Sequence, residues 1–409
     1  MTMKDTRKYK QTELGLLPED WEVAKLGNLG ELAMCKRIFQ NETSEMGDVP
    51  FYKIGTFGKT ADAYISYAKY NEYKSAYRFP NKGDILISAA GTIGRIVVYD
   101  GEPAYFQDSN IVWFAHSGKT VSNDFLYYVY QITNWNTENT TIARLYNDNF
   151  NKTIIPLPPI EEQRRIASAL TSIDNLIDSL DRLIAKKRDI KQGAMQQLLS
   201  GKKRLKGFIE PWVEKKLGDI GYFLKGSGIS KSQANSGTLC AVRYGELYTL
   251  HHNYIKTYNS HISKEVAQFA TKIQKGDILF ACSGETKEEI GKCAAFVDDV
   301  EAYAGGDILI LRTDQEQCSD IFLGFLLNMP IAANQKAAKG QGDAVVHISK
   351  EAISNINCLF PSKEEQQAIA SVLTSMDNEL SALEAKRKKY EQIKQGMMQQ
   401  LLTGKISLN

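Results

Sequence analysis

Residues 158–205 recur at 361–408 with a constant offset of 203 and no gap, and more than half of the paired positions are identical. Glu161-Glu162-Gln163 returns as Glu364-Glu365-Gln366. Ile166-Ala167-Ser168-Ala169-Leu170-Thr171-Ser172-Ile173-Asp174-Asn175 is matched by Ile369-Ala370-Ser371-Val372-Leu373-Thr374-Ser375-Met376-Asp377-Asn378. The stretch from Ile190 to Lys202 returns from Ile393 to Lys405 with changes only at Met397 and Thr403. Weaker echoes precede each copy. Trp21 and Leu26-Gly27 recur as Trp212 and Leu217-Gly218, and Lys82-Gly83-Asp84-Ile85-Leu86 as Lys275-Gly276-Asp277-Ile278-Leu279. A chain with this pattern is a tandem duplication, so any fold must serve both halves.

Apolar residues in the first copy fall at Ile166, Leu170, Ile173, Ile177, Leu180 and Ile184, the alternating steps of a heptad seam. Ile369, Leu373, Met376, Leu380 and Leu383 repeat it. Ser362, three residues before Glu365, makes a capping-box pattern. Gly201 and Gly404 stand where C-terminal caps belong. Each copy predicts a helix of about 40 residues, about 60 Å long. Two amphipathic helices buried in a globular core would show similar spacing, but this seam outruns usual helix length. The preferred reading packs the helices on each other. Antiparallel packing then puts the intervening blocks at opposite ends, related by a pseudo-two-fold axis. Gly193 and Gly396 interrupt the pattern at up to ~1 kcal/mol each against Ala. Their recurrence points to a close backbone neighbour, such as a partner subunit, or to a helix end.

The remaining blocks read as mixed α/β. In the first, Asp84–Ser88, Arg95–Tyr99 and Asn110–Phe114 are β-rich and separated by Gly-rich turns, and Asp124–Tyr130 reads as a helix. Ile278–Phe280, Ala294–Val297 and Ile308–Leu311 take the strand roles in the second, with a helix over Ile321–Met329. The expected organisation is an α+β chain: block 1–157, helix 158–207, block 208–360, helix 361–409.

Composition narrows the function. Hydrophobic residues are 43% and charged residues 24%, as in ordinary globular proteins. No apolar run approaches the ~18 residues of a membrane span, and no apolar segment follows the N-terminal charges to make a signal peptide. A cytoplasmic location is expected. The six cysteines form no C-x-x-C pair, so reduced thiols are expected and no zinc site. His251-His252, read as strand neighbours, would point to opposite faces, so no metal is expected there.

The net charge of +2 argues at first against nucleic acid. Its distribution changes that reading. Residues 1–155 carry −1, 156–207 carry +5, 208–360 carry −3 and 361–409 carry +1. The excess lies at Arg182, Lys186, Lys187, Arg188, Lys191 and Lys202-Lys203-Arg204, which suits a solvated helix face or an acidic partner as well as DNA.

Motifs for catalysis are missing. No Walker loop, G-x-S-x-G or G-x-G-x-x-G appears. Leu157-Pro158-Pro159-Ile160 has the prolines of an adenine-methyltransferase tetrapeptide but neither its polar residue nor its aromatic, and reads as a turn before a helix. A binding protein is therefore expected. Polar loops rich in Gly, Ser, Thr and basic residues suit duplex DNA: Gly91–Arg95, Lys225–Lys231 and Lys336–Gly342, with Tyr146, Tyr244 and Tyr248 interleaved. The candidate DNA contacts are Lys36, Arg37, Lys59, Thr92, Arg95, Arg144 and Asn147 in the first block. Those in the second are Lys225, Ser227, Lys231, Arg243, Tyr244, Ser283, Lys287, Lys292, Lys339 and Gln341. A plain surface turn explains any one of these loops alone.

The tandem plan resembles the specificity subunit of type I restriction–modification systems. The residues that carry the resemblance are Leu157-Pro158-Pro159-Ile160-Glu161-Glu162-Gln163, the heptad helix, Lys191–Lys202, the second copy over Pro361–Lys405, and the opening Thr12–Trp21. The resemblance spans the chain. It implies two target-recognition domains, each reading half of a bipartite, asymmetric site, with the two helices forming an antiparallel coiled coil that sets their separation. It also implies a non-catalytic chain whose partners are double-stranded DNA, two methylation subunits that bind S-adenosylmethionine, and restriction subunits that use ATP and magnesium. Adenine-N6 methylation is then the partners' work. Pro159 and Ile160 face Ser362 and Lys363, so the copies need not dock partners identically. A self-contained methyltransferase or nuclease, and a coiled-coil scaffold that binds proteins, are the competing readings.

Overall fold

The two matched segments are helices of 39 residues each, Ile160–Leu198 and Lys363–Leu401. The computed structural model describes residues 7–135, 145, 147–342 and 345–408. Each helix starts within three residues of a strand, after Pro158-Pro159 in one case and Pro361 in the other. The Ser362 hydroxyl accepts from the Glu365 amide at 3.4 Å, half of the expected capping box. The other half is absent because the Glu365 carboxylate is taken by Arg204 and Trp212. Gly201 and Gly404 end the helices at φ of +69° and +67°, a left-handed conformation suited to glycine.

Two compact units divide the chain, and both boundaries fall inside these helices. The first holds the residues up to Asp181 and those from Ala385 onward, and the second runs Arg182–Glu384. Each unit thus owns the first part of one helix and the last part of the other. In the first unit Lys394 Nζ lies 2.7 Å from Asp174, and Arg387 pairs with Asp181. Position falls along one helix as it rises along the other, so the pair is antiparallel. The second unit repeats the arrangement with Lys187–Glu379 at 2.7 Å, Arg188–Glu384 at 2.6 Å, and Lys191–Asp377. Ile166, Leu170, Ile177 and Leu180 of the seam are buried in the first unit. Ile184, Ile369, Leu373 and Leu380 are buried in the second. Ile173, Met376 and Leu383 are half-buried.

The rest of each unit repeats one plan. In the first, an antiparallel sheet runs in the order Gly30–Met34, Ile111–His116, Ile85–Ser88, Ile96–Val98. The second has the same order: Gly221–Lys225, Ile308–Thr313, Asp277–Ala281, Cys293–Ala295. A second sheet in each unit contains a parallel pair: Val49–Tyr52 with Tyr105–Phe106 at one edge of three strands, and Leu239–Val242 with Ala302–Ala304 at the centre of four. The strand before each long helix pairs with one near the start of the block, Ile154–Leu157 with Glu22–Lys25 and Asn357–Phe360 with Val213–Lys216.

Both helix parts enter their unit's core. Ile166, Leu170, Leu401 and Leu402 pack with Trp21, Phe125 and Phe150, and Leu198, Leu199, Ile369 and Leu373 with Phe322 and Phe325. At ~1.5–3 kcal/mol per fully buried large side chain, these contacts fix the blocks to the helices. A buried carboxylate marks each junction. Glu162 accepts from Trp21 Nε1 at 2.9 Å and from Arg7 at 2.8 Å. Glu365 accepts from Trp212 Nε1 at 3.2 Å and from Arg204 at 2.6 Å.

Two expectations are corrected. Lys336–Gly342 is not a loop throughout, because Pro330 opens a helix that runs to Lys339. Lys336 points inward on it and donates to the Gly291 carbonyl at 2.6 Å, and burial pushes its pKa down. His251-His252 lie after the helix Tyr244–Thr249 rather than on a strand. His251 is buried, which holds its imidazole below the ordinary pKa. Among the described residues no helix is long and apolar enough to cross a membrane.

Candidate nucleic-acid interface

Several loops meet at one edge of each unit, and hydrogen bonds show that they correspond. The Gly94 amide bonds the Ser88 carbonyl at 3.0 Å, and the Gly291 amide bonds that of Ala281 at 3.0 Å. Ala89 bonds Asn110 at 2.7 Å, as Cys282 bonds Asp307 at 2.8 Å. Leu145 returns to Ala89 at 2.9 Å, as Ile348 returns to Cys282 at 3.1 Å. The loop after the first sheet strand closes alike. The Phe39 amide donates to Glu42 at 2.8 Å, and the Ser230 amide to Gln233 at 2.9 Å. By this register Arg95 corresponds to Lys292, Lys36 to Ser227, and Arg37 to Gly228.

In the first unit Lys36 and Arg37 are exposed on that loop. The Arg37 Nε donates to Asp108 at 2.8 Å, which ties the loop to the segment before Ile111–His116. Thr92 is exposed on the turn Gly91–Gly94, and its carbonyl accepts from the Ser88 hydroxyl at 2.5 Å. Arg95 is half-buried and donates to the Phe57 carbonyl at 3.0 Å, so it also positions the turn that displays Lys59. Asn147 opens the short helix Asn147–Lys152 and is exposed. Arg144 and Tyr146 lie outside the described residues.

In the second unit Lys225, Lys231 and Lys287 are exposed. The Ser227 hydroxyl donates to the Phe269 carbonyl at 2.8 Å. Arg243 and Tyr244 lie where the strand Leu239–Val242 meets its helix, Tyr244 38% exposed. Lys292 Nζ donates to the Tyr248 carbonyl at 3.0 Å. Ser283 is buried, its hydroxyl 2.9 Å from His347 Nδ1. Gln341 is exposed and bridges His347 through backbone bonds of 2.9 and 2.7 Å, with Lys339 half-buried beside it. The exposed ring of His347 is a polar group that sequence reading missed, since 64 residues separate it from Ser283.

This edge carries charge and hydrogen-bonding groups rather than reactive ones. Burial pushes the Cys282 thiol up to about 11, so it stays protonated near neutrality. Among the described residues no three His, Cys, Asp or Glu side chains are grouped to hold a metal ion. Exposed Lys and Arg suit phosphates, and Thr92, Gln341 and His347 suit base edges.

Comparisons with known proteins follow the same division. A family model for the type I restriction modification DNA specificity domain matches residues 18–186 and again 209–395. A putative type I restriction enzyme specificity subunit, S.HindORF215P of Haemophilus influenzae, is 52% identical over 173 residues, 42% of this chain and 45% of that one. The putative MjaX specificity subunit of Methanocaldococcus jannaschii is 26% identical and is aligned over 97% of this chain and 96% of its own length. The crystal structure of a type I restriction-modification system S subunit from M. genitalium superposes with a TM-score of 0.58 at 14% identity, covering 98% of both chains. A chain from the solved type I R-M system studied for complex assembly and conformational transition gives 0.57 at 16% identity, over 95% of this chain and 99% of that one. At these identities the structural likeness speaks to fold.

Proposed function

The chain belongs to the type I restriction–modification DNA specificity family, with two DNA-specificity domains, and from that premise we propose how it divides the work. Each unit reads one half of a bipartite, asymmetric site in double-stranded DNA. The chain itself catalyses nothing. Two methylation subunits bring S-adenosylmethionine and methylate adenine N6, and restriction subunits bring ATP and magnesium. The complex works in the cytoplasm.

One observation carries the two-reader part. The same loops recur in both units, yet the side chains at corresponding positions differ: Lys36 against Ser227, Arg37 against Gly228, Arg95 against Lys292. Equal scaffolds with unequal tips suit two readers of different base sequences. Exchanging residues 1–155 for the corresponding block of another family member tests this. The sequence methylated in cells then changes in one half only. An unchanged methylated sequence overturns the assignment.

A further inference from the structure

The turn after the helix Tyr67–Ala76, and its counterpart after Lys264–Ala267, each hold an aromatic ring in solvent. Tyr77 is 46% exposed and Phe269 is 76% exposed. They occupy neighbouring positions of one turn, five residues before Lys82 and six before Lys275. The sequence reading did not single out either ring.

Both turns are fixed by hydrogen bonds of their backbone, and the Tyr77 ring is packed as well. The Phe269 amide donates to Val266 at 3.0 Å, and its carbonyl accepts from the Ser227 hydroxyl at 2.8 Å. A side chain at Gly228 would stand 3.0 Å from that carbonyl, so the loop closes on the turn without spare room. The Tyr77 amide donates to Tyr73 at 3.0 Å, and its ring meets that of Tyr73 edge-on at 5.3 Å. Lys36 Nζ lies 5.1 Å from the Tyr77 ring centre. Lys36 and Ser227 are corresponding positions, so in both units the same loop meets the turn that carries the exposed ring, through the ring in one and the backbone in the other.

The surroundings decide what covers these rings. Lys36 is exposed against Tyr77, and Lys225 and Lys231 are exposed on the loop that carries Ser227, which bonds the Phe269 carbonyl. A protein partner favours a broad apolar patch and avoids lysine at its centre. Duplex DNA offers phosphates to the lysines and apolar base edges and steps to a ring.

We propose that Tyr77 and Phe269 are base-contacting residues, one for each half of the recognised site, pressed against the bases while the neighbouring lysines hold phosphates. The proposal rests on the two-reader function above. It is tested with the full chain assembled with its methylation subunits, on its own recognition duplex and on an unrelated duplex over a range of salt. Tyr77→Ala and Phe269→Ala each lower affinity for the recognition duplex by about tenfold, as lost base contacts do. The unrelated duplex and the salt slope stay unchanged, and discrimination relaxes in one half of the site only. Phe269→Leu retains part of the affinity. Unchanged affinity, an equal loss on both duplexes, or failure to assemble with the methylation subunits each overturns the proposal. A wild-type complex with no sequence preference would instead overturn the two-reader function and carry this proposal down with it.

Discussion

Thr171 and Thr374 are copies of one residue in different surroundings. Thr171 Oγ1 lies 3.1 Å from the Tyr128 hydroxyl. The residue corresponding to Tyr128 is Phe325, which has no hydroxyl, and Thr374 Oγ1 is buried without a partner. An unpaired buried hydroxyl costs about 1 kcal/mol or more, and a made bond is worth about as much. Thr374→Val therefore raises the urea midpoint, whereas Thr171→Val lowers it by a similar amount. Lys336 is a second unusual residue, buried with the Gly291 carbonyl as its hydrogen-bond acceptor. Its folded-state pKa lies below the ordinary 10.5, so the unfolded chain binds more protons and stability rises as pH climbs toward that value. Lys336→Met removes that slope and adds about 1 kcal/mol at neutral pH, measured by urea unfolding from pH 7 to 10. The inward aim of Lys336 was not legible in sequence, because a Lys-Ala-Ala-Lys-Gly run looks the same on a loop and on the last turn of a helix. Ser283 and Arg7 were opaque for a different reason: their partners His347 and Glu162 lie 64 and 155 residues away.

The long helices were the most legible elements, since a heptad seam and a gap-free repeat constrain every turn. Their caps at Gly201 and Gly404 were legible too. What the seam could not reveal is the charge layer that sets register. Asp174 meets Lys394 and Asp377 meets Lys191, so each copy of the same Asp pairs with the other helix's copy of the same Lys. The runs Asp84–Ser88, Arg95–Tyr99 and Asn110–Phe114 were legible as strands, but Val49–Tyr52 and its parallel partner Tyr105–Phe106 were not, because their pairing joins segments far apart in the chain. The helical glycines give an element-scale prediction. A Cβ at Gly193 or Gly396 would meet nothing within 4 Å, although both lie well inside their helices. The close neighbour expected from sequence is therefore absent from this chain at both places. Gly193→Ala and Gly396→Ala each stabilise the chain alone by up to ~1 kcal/mol, seen as a higher thermal midpoint. If a methylation subunit closes on these glycines, the same variants assemble less tightly with it.

At the scale of the molecule, neither block can hold DNA by bulk charge: residues 1–155 carry −1 and 208–360 carry −3. Recognition has to come from local tips, and two weak tips gain most when one frame fixes their separation. The chain passes between its units only between residues 181 and 182 and between 384 and 385, inside the two long helices. Length added at both places keeps the antiparallel pairing within each unit, because Asp174–Lys394 and Lys191–Asp377 are made on either side of the insertion. One heptad adds about 10 Å to a helix, comparable to about three base pairs of duplex. Inserting a heptad at both boundaries therefore lengthens the spacer between the two half-sites while leaving each half-site unchanged. Methylation mapping in cells carrying the insertion reads this directly. The insertion in one helix alone breaks the register between the paired helices and abolishes methylation. An unaltered spacer in the double insertion would show that something other than the helix pair sets the separation of the two readers.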